Sequence, residues 1–211
     1  GYQGAPGLHT DAQQSAWAKV TQAVHARGGR IGVQLWHTGL ISHQSLQPDL
    51  RAPISASATQ NLPTRTSVQD ATGQVYRVET TPARAASLAE IQQVIADFAA
   101  ATRRARAAGF DFVEIHGAHG YLLHQFLVAA LNQRDDAYGG SRDNRAKFPL
   151  AVLDITHKMV RQYADDAFII GYRFSPEELE VPGIRFEDTM YLLEKLAARG
   201  VDARIHGLTE P

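Results

Sequence analysis

Two imidazoles and a phenol fall within six residues in Ile115-His116-Gly117-Ala118-His119-Gly120-Tyr121. Imidazoles three positions apart in a turn or helix start can face the same side. A pair so placed can donate two hydrogen bonds to one developing oxyanion. The same pair could instead ligate a metal together with His124, a site that would want a carboxylate or third imidazole at matched spacing. One of the two could also be a packed structural histidine. Glu114 lies two residues before His116 and can share its strand face. Tyr121 carries a phenol with an ordinary pKa near 10, able to donate a proton in catalysis or to sit satisfied in a core.

Other polar groups interrupt apolar runs. Gln34 lies within Arg30 to His37, where a buried amide needs partners for both its oxygen and its nitrogen. A planar heterocycle with adjacent donors and acceptors would supply them, and so would the backbone. Trp36 and His37 end the same segment and line a candidate pocket. Arg173, near the end of Ala167 to Phe174, asks for an anionic or electron-rich partner, or for a salt bridge to Glu177 or Glu178. Arg134 and Asp136 read as loop braces, and Ser141 or Asp143 as the cap of the next helix.

The elements that must position these groups alternate. Thr10-Asp11-Ala12-Gln13 and Ser87-Leu88-Ala89-Glu90 have the spacing of capping boxes. Trp17, Val20 and Val24 follow the first, with Gly28-Gly29 as a stop; Ile91, Val94, Ile95, Phe98 and Ala105 share a face after the second, with Arg103, Arg104 and Arg106 in its last turn. Strands are expected at 30–37, 111–116 and 167–174, helices at 143–163 and 187–199, and a last strand from Val201. Residues 38–82, with Pro48, Pro53, Pro63 and Pro82, read as a long inserted loop region with a short hairpin around Val75 to Val78. Loops of that length are usually functional. Alternating apolar strands and helices predict a parallel sheet with helices outside, in a (β/α)8 barrel or an open doubly wound sheet. No Gly-x-Gly-x-x-Gly opens a helix after a strand, which counts against a dinucleotide fold.

With 21 basic against 22 acidic residues, the net charge of −1 gives no electrostatic case for a nucleic-acid or membrane-surface partner. No apolar run is long enough to span a bilayer, and no signal peptide is legible at the first residues. Cysteine is absent, which rules out disulfides and thiolate chemistry and fits a cytoplasmic protein.

Taken together, these segments resemble the Old Yellow Enzyme family of FMN-dependent ene-reductases, in particular its N-ethylmaleimide reductase and pentaerythritol tetranitrate reductase branch. The resemblance rests on Gln34-Leu35-Trp36-His37-Thr38-Gly39, Ile41-Ser42-His43, Ser45-Leu46-Gln47-Pro48, Thr64-Arg65-Thr66-Ser67 and His116 to Leu127, and extends to Asn132-Gln133-Arg134, Tyr138-Gly139-Gly140-Ser141 and Asn144-Arg145. It implies a (β/α)8 barrel with FMN at its C-terminal mouth. It assigns His116 and His119 to the carbonyl or nitro oxygen of a small-molecule substrate, Tyr121 to proton donation, Gln34, Arg173 and His116 to the flavin, and Trp36 to the substrate pocket. NAD(P)H is the implied reductant, no metal is implied, and the oligomeric state is left open.

Departures from the family pattern set further expectations. Leu40 stands where an Arg is usual, Val128-Ala129-Ala130-Leu131 where a Ser-Pro turn is usual, and Asp135 where a Thr is usual. Residues 203–211 fit poorly. A whole barrel takes about 250 residues. The segments visible here predict an incomplete barrel that starts after the first strand and ends near the sixth, without the phosphate-binding strands. The alternative expectation is therefore a truncated partial barrel that does not hold FMN stably.

Overall fold

The computed structural model describes residues 2–59, 64–163, 167–179 and 181–201. Helix α1 (Asp11–His25) starts where its capping box requires: the Thr10 hydroxyl accepts from the Gln13 N–H, and the Gln13 amide oxygen accepts from the Thr10 N–H. Strand β1 (Gly32–Leu35) follows. The loop region then holds two 3-10 turns (Gln44–Leu46 and Pro48–Leu50), β2 (Ile54–Ser55), an antiparallel hairpin of β3 (Arg65–Gln69) and β4 (Val75–Glu79), and β5 (Arg84–Ala85), which pairs in parallel with β2. The hairpin expected around Val75 is thus present, with Asp70 accepting the Thr72 and Gln74 N–H groups in its turn.

Helix α2 (Leu88–Ala107) opens on the Ser87–Glu90 box, and β6 (Phe112–Gly117), α3 (Leu122–Leu127), α4 (Arg142–Tyr163), β7 (Ile169–Phe174) and α5 (Phe186–Ala197) complete the order. The Ser141 hydroxyl accepts from the Asn144 N–H at the start of α4. Arg134 braces the loops as expected: it pairs with Asp136 at 2.6 Å and donates to the Ala56 and Ala86 carbonyls. The strand expected from Val201 falls outside the described residues.

Strands β1, β6 and β7 form one parallel sheet in that order. Its register sets three rows: Gly32, Phe112 and Ile169; Gln34, Glu114 and Gly171; then Trp36 just past β1, His116 and Arg173. Side chains alternate between faces. The alternate residues Leu35, Val113, Ile115, Ile170 and Tyr172 are buried in one core with Ile91 and Phe98 of α2 and Phe148 and Leu153 of α4. Each such burial contributes about 1.5–3 kcal/mol. The other face is open: Phe112 is 37% and Ile169 46% exposed, against 0% for Val113 and Ile115. A parallel sheet covered by helices on one face only has the form of a barrel wall, whereas a doubly wound sheet is covered on both.

Candidate active site

The open face carries the polar residues singled out in the sequence, and they gather at the strands' C-terminal ends. Gln34 Nε2 donates to Glu114 Oε1 at 2.5 Å, and its amide oxygen accepts no hydrogen bond among the described residues. Arg173 sits beside His116 in the register, and its Nε is buried without a hydrogen-bond partner. The salt bridge to Glu177 or Glu178 is not formed; Glu178 instead accepts the Ile184 N–H and lies 3.8 Å from His124 Nε2.

Above this floor the aromatic groups converge. The His116 ring stands 5.2 Å from that of His119 and 4.9 Å from that of Tyr121, edge-on in both cases. Trp36 stacks on His116 at 6.2 Å and meets Tyr121 edge-on at 4.8 Å. All of the proposed site residues therefore lie on one face, with His119 exposed, Tyr121 half-buried and His116 buried.

Backbone bonds fix their chemistry. The Ala118 N–H donates to His116 Nδ1 at 3.2 Å. Burial, followed by the nearby charges of His119, Arg173 and His124, lowers the His116 pKa from 6.5 to about 4. At neutral pH the ring is uncharged, and with Nδ1 accepting, its proton is on Nε2. His119 is also pushed down, by burial and by Arg173. His119 (φ 55°) and Gly120 (φ 71°) both occupy the left-handed region, which turns the chain sharply between His116 and Tyr121. The turn is held because the His119 N–H donates to the Ser175 hydroxyl and the Gly120 N–H donates to His124 Nδ1.

Three contributors were not read from the sequence. Tyr2 hydrogen-bonds Tyr121 through their hydroxyls at 2.9 Å and meets Trp36 edge-on. Fully buried Gln125 fastens the two site loops together: its amide donates to the Thr38 and Gly120 carbonyls and accepts from the Leu40 N–H. Ser175 anchors His119. Of these, only Gln125 had a signal, a lone amide in the apolar run Leu122 to Leu127. Among the described residues no group of three His, Cys, Asp or Glu is arranged to hold a metal ion.

Two neutral N–H donors beside a phenol, over a floor with a free acceptor and a free guanidinium donor, suit polarisation of an oxygen and delivery of a proton. The chain matches the model of the NADH:flavin oxidoreductase / NADH oxidase family over residues 1–208, and it belongs to that family. It is 53% identical to an NADH:fumarate oxidoreductase from Klebsiella pneumoniae over 95% of its own length and 20% of that protein's, and 42% identical to 12-oxophytodienoate reductase 2 from Arabidopsis thaliana over 83% and 44%. The structure of morphinone reductase in complex with tetrahydroNAD superposes with a TM-score of 0.88 at 37% identity, over 97% of this chain and 56% of that one. The expected Old Yellow Enzyme membership and (β/α)8 barrel class are borne out, with an incomplete barrel in this chain. The chain thus spans a fifth to little more than half of the proteins it is compared with. Among the described residues no helix is long and apolar enough to cross a membrane.

Proposed function

We propose that the protein is an FMN-dependent ene-reductase of the cytoplasm that uses NAD(P)H to reduce activated C=C bonds of α,β-unsaturated carbonyl compounds, with nitro compounds and nitrate esters as further substrates. The observation that carries this reading is the neutral His116, with its proton fixed on Nε2, beside His119 and Tyr121. The fumarate named for one relative also holds a C=C bond conjugated to a carboxyl group.

FMN fits the residues present, because the buried unpartnered Nε of Arg173 and the unused amide oxygen of Gln34 offer a donor and an acceptor to one planar ring. Gln34 and Arg173 would hold it, with His116 alongside. FMN, when bound, supplies hydride chemistry and is recharged by NAD(P)H. The chain's own residues do the rest. His116 and His119 donate to the substrate oxygen, which draws electron density from the double bond and makes the β-carbon electrophilic. Tyr121 then gives its proton to the α-carbon. Purified protein loaded with FMN should oxidise NADH or NADPH when 2-cyclohexenone is added, and no turnover with FMN bound would sink the proposal.

A second reading is favoured by exposed Phe112 and Ile169 and by the outer edges of β1 and β7, which pair with no strand among the described residues. On it, this stretch alone is an open partial barrel that does not retain FMN, with edges prone to self-association. Stoichiometric yellow protein after gel filtration refutes it; colourless protein supports it.

A further inference from the structure

We propose that Tyr2 is a positioning residue for proton delivery, its hydroxyl donating a hydrogen bond to the Tyr121 oxygen so that the Tyr121 proton points away from Tyr2 and the phenolate left after transfer is stabilised. The inference rests on the ene-reductase reading for the reaction it serves, and on this structure for its geometry. The two oxygens lie 2.9 Å apart although the residues are 119 positions apart in sequence. Only one proton can occupy the line between them. If Tyr2 supplies it, the Tyr121 proton is free to turn toward the space it shares with His116, whose ring is 4.9 Å away.

Two features hold Tyr2 in this place. Its ring meets Trp36 edge-on at 5.1 Å and Tyr121 at 6.1 Å, and the neighbouring Gln3 amide donates to Gln69 at the end of β3. Burial, followed by the bond to Tyr121, raises the Tyr2 pKa well above its ordinary value, so its hydroxyl keeps its proton when Tyr121 gives one away. The other charged or titratable groups around the pair are His116 and His119 at the end of β6, Arg77 on β4 and Arg173 on β7.

The step balances. The Tyr121 O–H bond breaks as the C–H bond forms at the α-carbon, Tyr2 retains its proton, and water returns one to Tyr121 before the next turnover. During transfer the neutral hydrogen bond becomes a charge-assisted one, roughly twice as strong.

The test is Tyr2→Phe, which keeps the ring contacts with Trp36 and removes only the hydroxyl. In protein carrying ring-labelled tyrosine, NMR should show a slowly exchanging hydroxyl proton coupled to the Tyr2 ring, and the signal should be lost in the variant. This arm needs no turnover. In the FMN-loaded protein, alkene reduction should slow about three- to tenfold, while flavin reduction by NAD(P)H is unchanged. In a Tyr121→Phe background, Tyr2→Phe should add nothing to that rate. A protected hydroxyl proton coupled to the Tyr121 ring instead, or equal slowing in both backgrounds, overturns the inference. A protected Tyr2 hydroxyl in protein that holds FMN and never reduces 2-cyclohexenone overturns the ene-reductase reading instead and leaves the hydrogen bond established.

Discussion

At the C-terminal end of the open sheet face Trp36, His116 and Arg173 stand side by side, while at the N-terminal end of the same strands the row is Gly32, Phe112 and Ile169. A hollow of about 720 Å³ lies at the second end, lined by Phe112, Glu114, Ile169 and Gly171 among others, and one of about 680 Å³ is lined by Tyr2, Gln34 and Trp36. Both ends also hold a perturbed titratable group. Burial alone would raise the Asp111 carboxyl, but bonds from His25, the Ile31 N–H and Arg30 bring it down to about 2. Those partners are all satisfied within the chain, and they clamp the start of β6 to the end of α1. At the other end the buried Arg173 Nε has no partner among the described residues. The comparison teaches that neither the size of a hollow nor a shifted pKa marks the chemistry. What sets the first end apart is convergence: His116, His119, Tyr121 and Trp36 meet there within 4.8–6.2 Å of one another, where strand ends release loops.

Mutation can break or sharpen that contrast. The largest effect should come from Tyr121→Phe, which removes the proposed proton donor: stopped-flow measurement should show alkene reduction slowed about 10²–10⁴-fold with flavin reduction intact. Next, His116→Ala should lower the same rate about 10²–10³-fold, the usual cost of one oxyanion donor. Arg173→Met should weaken FMN binding about 10- to 100-fold, read by fluorescence titration, because a charge-assisted bond is lost. At the opposite end, Asp111→Asn should cost about 1–3 kcal/mol in urea unfolding while turnover stays within about twofold. If it slowed turnover as much as His116→Ala does, the division between the two ends would fail.

The smallest effect is on acid stability, and it should resolve the ends by pH. His116 and His124 are depressed from 6.5 to about 4 when folded, chiefly by burial. Unfolding lets them take up protons, so their contribution is complete above pH 6.5 and is lost as pH falls toward 4. Asp111, depressed from 3.8 to about 2, contributes fully above pH 3.8 and loses its contribution between 3.8 and 2. Thermal melts of Asp111→Asn should therefore match the native acid slope above pH 4 and diverge below it.

Local signals were the legible ones. The capping boxes at Thr10 and Ser87 placed the starts of α1 and α2 to the residue, because such caps act within four positions. The three sheet strands were found from their apolar runs; β1 and β7 are shorter in the structure where flanking residues leave the ladder, and β6 is shifted by one residue. Strands β2 and β5 were not legible: two residues each, 30 positions apart, they have no periodicity to show. Helix α3 was quoted only as part of a motif, since its Leu122-Leu123-His124-Gln125-Phe126-Leu127 is too short for a 3.6-residue pattern. The strand-end cluster was visible because its members are consecutive. Tyr2 was not, because its role exists only through a contact 119 residues away.

The i-to-i+2 closure between the Ala118 N–H and His116 Nδ1 recurs at the end of β1, where the Gly39 N–H meets His37 Nδ1 at 3.1 Å. A ring locked by the amide two residues ahead carries its own wiring. The choice of which nitrogen bears the proton is written into three consecutive residues and calls on no distant carboxylate or remote domain. The tautomer is thus set locally, while the loss of charge on His116 is set by its burial and by the groups packed around it.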